Sequence, residues 1–128
     1  MASYHSPNRA HSLGRWGEAR AAAWLVRRGW TVLARNYRFG RREVDLVLTR
    51  GELVVFVEVK TRTGEGFGGG AAAITWRKRR EIEAVAEHFL ARQGLSGRPV
   101  RFDAVIVTSL RGRVRVEHLP DAWRPGWR

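Results

Sequence analysis

The sequence contains no cysteine. That excludes a disulfide framework, thiolate ligands for zinc and cysteine nucleophiles. No apolar run approaches the roughly 18 residues that a membrane-spanning helix needs, and the first residues hold no apolar signal-peptide core. Acidic residues are few beside basic ones: 12 Asp+Glu stand against 24 Lys+Arg, a net charge of +12. Lysine is scarcer still, since 22 of the 24 basic residues are arginine and only Lys60 and Lys78 are not. These absences point to a cytoplasmic protein with no membrane partner. The excess charge favours polyanions, above all nucleic acid. Arginine presents a bulky planar fork that is essentially never deprotonated. Where nearly every cation is Arg, a retained Lys suggests a position that needs a compact ammonium.

A chain of 128 residues, 44% hydrophobic, fits one domain with one core. Residues 1–11 are polar, with Pro7 and Asn8, and read as a flexible tail ahead of a single domain over 12–128. Ser12 can cap a helix that runs to about Arg28 and stops at Gly29, with Trp16, Ala19, Ala23 and Val26 along one side. Residues 30–36 read as a first strand. Residues 43–49 and 53–61 are the strongest strands, β-branched and bounded by turn residues. Gly64–Gly70 is a Gly-rich connection that no GK[ST] follows, so it is not a P-loop; its place beside the candidate site still allows it to act as a flap. Thr75 can cap a second helix to about Gln93, with Ile82, Val85, Ala86, Phe89 and Leu90 at helical spacing. Residues 100–108 and 113–119 are two further strands joined near Arg111-Gly112. The expectation is an α/β, mixed α+β domain in the order α-β-β-β-α-β-β, with a central mixed five-stranded sheet flanked by helices.

The chemistry sits on the hairpin of the second and third strands. Gly51-Glu52 can form its two-residue loop, with Gly first as a type II′ turn prefers. Arg50 then faces Leu53, and every further pair sums to 103, which sets Asp45 opposite Glu58 and Glu43 opposite Lys60. Alternation places Glu43, Asp45, Glu58 and Lys60 on one face. Val44, Leu46, Leu48, Leu53, Val55, Val57 and Val59 fall on the other, and a slip of one residue would destroy the separation. Two facing carboxylates repel unless a cation or proton lies between them. Hard oxygen ligands select Mg²⁺ or Mn²⁺, so Asp45 and Glu58 are the candidate metal ligands. Lys60 would point at the same site, to hold a scissile phosphate or orient the attacking water. The same residues could equally form a solvated ion-pair lattice, Glu43 with Lys60 and Asp45 with a nearby Arg.

Other residues bear on that choice. Glu18 lies between Ala22 and Leu25 on a partly apolar side of the first helix. Lys78 extends the sheet-facing side of the second helix at its N-terminal end, where free backbone N–H groups suit phosphate. Arg77, Lys78, Arg79 and Arg80 form the densest basic cluster and are candidates for nucleic-acid binding. Asp103 reads as a structural salt-bridge partner of an Arg. His88 reads as solvated on the polar side of its helix. Trp123 and Trp127 could stack on bases, but closing the core edge suits them better.

The segments G-R-W-G-E-A-R-A-A-A-W-L-V-R-R-G-W, R-N-Y-R, E-V-D-L-V, L-V-V-F-V-E-V-K-T-R, I-T-W-R-K-R-R and R-F-D-A-V resemble, in that order, the YraN family of bacterial proteins. The resemblance spans about residues 13–122. It implies a nuclease-like domain of the restriction-endonuclease-like superfamily, similar in fold to archaeal Holliday-junction resolvases. It also implies a metal-dependent DNA endonuclease site at Asp45, Glu58 and Lys60, assisted by Glu18, acting on branched or flapped DNA. A homodimer would suit symmetric cutting of two strands. The sequence departs from the pattern at Arg42, where a Gly is expected, and at Val44, where the superfamily's nominal motif has Pro. The alternative is a non-catalytic nucleic-acid-binding module that keeps the fold. The complete set of Asp45, Glu58 and Lys60 favours the enzyme.

Overall fold

A computed structural model describes residues 6–64 and 74–126, leaving out the side chains of 6–11. The elements are α1 (Ser6–Arg27), β1 (Thr31–Phe39), β2 (Arg42–Arg50), β3 (Leu53–Thr63), α2 (Trp76–Arg92), β4 (Val100–Leu110) and β5 (Arg113–Trp123). The expected order holds. The strands form one five-stranded sheet in chain order. Neighbours are antiparallel except β3 and β4, which are parallel. A parallel pair needs a long crossover, and α2 lies in it. The Gly-rich connection falls mostly outside the described residues, as does Trp127.

The central strands are apolar on both faces because both faces are covered. On one side Val47, Val54, Phe56 and Phe102 pack with Ile82, Val85 and Phe89 of α2 and with Trp123. On the other, Leu46, Leu48, Val55, Val57, Val59, Val105 and Val107 pack with Ala21, Ala22 and Leu25 of α1. The second helix matches its periodic reading, with Thr75 Oγ1 accepting the Lys78 N–H at 3.1 Å as N-cap. Among the described residues no helix is long and apolar enough to cross a membrane.

The first helix differs from its reading in two ways. It begins at Ser6, six residues ahead of the Ser12 start read from the sequence. Pro7 sits in the first turn, where its missing N–H costs nothing. Its buried side is also not the one marked by Trp16, Ala19, Ala23 and Val26: Ala19 and Ala23 are exposed and Val26 is 50% exposed. The sheet instead receives Gly17, Ala21, Ala22 and Leu25. Small residues let the helix stand close. A Cβ added at Gly17 would lie 1.9 Å from Thr61 Oγ1 and 3.0 Å from Thr61 Cβ. The bulk of Trp16 is excluded from that contact and lies half-buried, with Arg20 at 5.7 Å from its ring.

The edge strands run further than sequence patterning suggests. β1 continues past Asn36 because Asn tolerates the left-handed conformation taken there, φ 49°. β5 continues past Pro120 through an irregularity between the pairs Ala104↔Leu119 and Phe102↔Trp123. An edge irregularity is where a proline fits a sheet. Asp103 fixes it. Its fully buried carboxylate accepts from Arg101 Nε and Nη2 at 2.8 and 2.9 Å, and from the Asp121 N–H at 2.9 Å. His118 Nε2 lies 2.7 Å away. Burial alone would raise this carboxyl, but these partners bring it below the ordinary value. Asp103 is thus the structural partner of an arginine, as read from the sequence.

Helix propensity alone makes Gly17→Ala stabilising by about 1 kcal/mol. The contact with Thr61 reverses the sign, because an added methyl must displace strand atoms. Urea unfolding should show Gly17→Ala destabilised by about 1–3 kcal/mol, whereas Ala19→Gly on the exposed side loses only the propensity term.

Candidate active site

The β2–β3 hairpin forms in the register read from the sequence, from Arg50↔Leu53 to Leu46↔Val57. Gly51 takes φ +59°, the positive value that a type II′ loop needs at its first position. The ladder does not continue to Asp45 and Glu58. Instead the Asp45 carboxylate accepts the Val59 N–H at 2.8 Å, taking the place of a backbone acceptor. The face alternation of β2 breaks here. Val44 packs with Val47 on the α2 side, although a strict period of two would oppose them. The expected wholly apolar face therefore loses Val44.

The break brings the two carboxyls together. Asp45 and Glu58 share a hydrogen bond, and the charge of each bears on the other. Burial, then the Glu58 charge, pushes Asp45 up to about 9, against a partial offset from the Val59 N–H. Burial also raises Glu58, opposed by the ammonium of Lys78, the Asp45 hydrogen bond and, less strongly, Lys60. Glu58 is 8% exposed, and its buried Oε1 has no hydrogen-bond partner among the described residues. The difference from Asp103 is one of partners. Asp103 is met by Arg101, His118 and a backbone N–H, while the other pair has a single backbone N–H and two lysines acting by charge.

Both lysines of the chain therefore bear on Glu58. Lys78 also donates from Nζ to the Glu43 carbonyl at 3.3 Å. Glu43 does not pair with Lys60 as expected. Its carboxylate meets Arg38 at 3.4 Å, its cross-strand neighbour on β1. Glu18 accepts from Asn36 Nδ2 at 2.9 Å. It lines an open cleft of about 490 Å³ with Arg15, Asn36, Arg38, Glu43 and Asp45. Asp45 stands at the wall of that cleft. Among the described residues no three carboxylate or imidazole groups converge as a ready set of metal ligands. The pair is Asp45 and Glu58, and Glu18 reaches them through charge.

The basic cluster of α2 divides. Arg77 is exposed and Lys78 turns inward. Arg79 donates to the Ile74 carbonyl at 3.0 Å, and Arg80 lies 3.8 Å from Glu83. His88 is not solvated as read: Nδ1 is 2.9 Å from the Tyr37 hydroxyl, and its ring stacks on Phe39 at 4.1 Å. Sequence reasoning missed Asn36, which orients Glu18. The R-N-Y-R segment held that signal.

A model of the uncharacterised protein family UPF0102 matches residues 17–107. The chain belongs to this family. A UPF0102 protein of Anaeromyxobacter dehalogenans is 46% identical over 119 residues, covering 90% of this chain and 89% of the relative. Another, from Methylobacillus flagellatus, is 44% identical over 111 residues, covering 87% and 96%. One from Rhodococcus jostii is 41% identical over 113 residues, covering 88% and 96%. The segment matched by the UPF0102 family contains Glu18, Asp45, Glu58, Lys60 and Lys78 together.

Asp45 keeps its proton up to about 9 in the fold but releases it near 3.8 when unfolded. The folded state then binds more protons across that interval, so stability falls as pH rises through it. Asp45→Asn removes this penalty while keeping an oxygen for the Val59 N–H. Without added metal, the variant should exceed the parent in stability at about pH 8 by at least about 1 kcal/mol, the worth of one pKa unit. The gap should close towards pH 4. Urea unfolding at the two pH values measures it, and a variant less stable at pH 8 would show that the carboxylate is already compensated.

Proposed function

We propose that this protein is a divalent-metal-dependent DNA endonuclease of the restriction-endonuclease-like kind, acting on branched or flapped DNA. One observation carries the reading. In a chain of net charge +12, two carboxyls are buried side by side with no ion pair to an arginine among the described residues, and the only two lysines flank them. A surface ion-pair lattice would leave them exposed and paired. The donor set fits a hard cation, Mg²⁺ or Mn²⁺: both groups offer oxygen, neither is ion-paired to an arginine among the described residues, and Glu58 Oε1 has no hydrogen-bond partner among them.

Asp45 and Glu58 would hold the ion, which when bound supplies Lewis acidity towards a phosphoryl oxygen and lowers the pKa of water. The chain's own groups do the rest. Lys60 and Lys78 set compact positive charge beside Glu58, where phosphodiester oxygens gather negative charge during attack. Glu18, held by Asn36, adds a carboxylate at the cleft able to orient the attacking water. Arg15 and Arg38 on the cleft wall meet the neighbouring phosphates.

Pure protein with Mn²⁺ should cleave flap, fork or four-way-junction DNA faster than blunt duplex. Asp45→Asn and Glu58→Gln should abolish cleavage and also the rise in melting temperature that Mn²⁺ gives the parent. Lys60→Arg keeps the charge but replaces a point donor with a larger planar group, so cleavage should fall by about 100-fold or more while DNA affinity stays. Parent-like cleavage by Lys60→Arg would remove Lys60 from the mechanism. Tight DNA binding with neither cleavage nor a Mn²⁺ shift would leave a non-catalytic binding module.

A further inference from the structure

The hairpin of β1 and β2 ends in a two-residue loop, Gly40-Arg41, with Phe39 paired to Arg42 across it. Gly40 takes φ +67°, which suits the first position of such a loop. The loop is the outer end of the strand that carries Asp45. Its root is clamped to α2. Tyr37 meets the Phe89 ring edge-on at 4.9 Å, and its hydroxyl lies 2.9 Å from His88 Nδ1. Phe39 stacks on the His88 ring at 4.1 Å. These rings are engaged with one another, and their part is to hold the hairpin in place.

The arginines around the loop differ in what they touch. Arg38 is paired with Glu43 at 3.4 Å, so its charge is answered within the hairpin. Arg41 and Arg42 are exposed and make no ion pair among the described residues. Arg42 is the cross-strand partner of Phe39 and so lies on the α2 side with the stacked rings. Arg41 occupies the loop itself. Its loop neighbour is a glycine, so Arg41 supplies the only side chain at the tip. A held strand pair that ends in one long cation fits a slot that is narrow and negative. The minor groove of DNA is such a slot, about 6 Å wide, and its negative potential strengthens where A·T pairs narrow it.

We propose that this loop binds the minor groove of the duplex arm beside the cut, with Arg41 in the groove and Arg42 on an adjoining phosphate. The proposal rests on the endonuclease reading for its choice of DNA, and it adds a duplex requirement to that substrate. Arg42 precedes Asp45 by three residues, about 10 Å along an extended strand. Stacked nucleotides advance about 3.4 Å each. A duplex running along β2 therefore meets the loop about three base pairs from the phosphate at the acid pair.

The test uses the full chain with metal chelated, so binding is read without cleavage. Two labelled flap DNAs of equal length are titrated by fluorescence anisotropy. One has an A·T run in the duplex arm next to the flap, and the other a G·C run there. The parent should bind the A·T form more tightly, by about fivefold or more, and Arg41→Ala should lose that preference. Inosine in place of guanine removes the amino group from the minor groove and should raise parent affinity for the second form towards that for the first. Arg42→Ala should weaken both forms alike and flatten the salt dependence by about one phosphate contact. Equal binding of the two forms by the parent, a preference kept by Arg41→Ala, no gain from inosine, or an unchanged salt slope in Arg42→Ala would overturn the proposal. Absence of Mn²⁺-dependent cleavage would count against the endonuclease reading alone, since the anisotropy result does not depend on it.

Discussion

One hydrogen bond governs the rest of the site. Where β2 and β3 would continue as a ladder, the Asp45 carboxylate accepts the Val59 N–H and ends the backbone pairing. A side chain doing the work of a backbone carbonyl must turn towards its neighbour strand, and Asp45 thereby comes beside Glu58. The same turn shifts Val44 to the α2 layer and leaves Glu43 to pair with Arg38. Asn36, opposite on β1 with φ 49°, adapts the edge strand and holds Glu18. Fold and candidate chemistry thus share one local departure from regular sheet geometry.

The sheet carries two kinds of buried carboxylate. Asp103 sits at zero exposure with Arg101, His118 and a backbone N–H around it. Desolvation is overcome there and the negative charge is settled. Asp45 and Glu58 are desolvated too, yet no guanidinium comes within pairing distance among the described residues. The contrast is within one chain, so general scarcity of cations is not its cause. Arginine is abundant on the surface, and Arg15 and Arg38 line the same cleft as Asp45 without pairing with it. On the endonuclease reading, a planar fork beside the pair would compete for the space that a cation, a water and a phosphate oxygen would need, and the compact ammonium of a lysine competes less.

Much of this was legible before the structure. Alternation over Leu53–Val59 and the Gly51-Glu52 loop set the hairpin register, and Ile82–Leu90 set the buried face of α2. The element order followed from patterning and turn residues alone. The departures have specific physical causes. The buried side of α1 was hidden because hydrophobicity pointed to Trp16 and Val26, while close approach to Thr61 demanded Gly17 and alanines. The face switch at Asp45 was hidden because alternation assumes that every ladder bond is backbone to backbone. The length of β5 was hidden because Pro120 reads as a stop, and only long-range bonds from Asp103 carry the strand past it. His88 looked solvated because its partners, Tyr37 and Phe39, lie about fifty residues earlier in the chain.

The parallel pairing of β3 with β4 separates local from non-local contacts in the sheet. The hairpin closes over two residues and, by loop length alone, is the least costly contact to make. Pairing β3 with β4 requires α2 to cross the sheet, a non-local step that topology makes slow. Packing of α2 covers the sheet face that holds Val54 and Phe56. It also brings Lys78, whose ammonium is the strongest charge opposing the rise in Glu58. The layer that covers the Glu58 side of β3 is therefore also the layer that delivers its counter-charge.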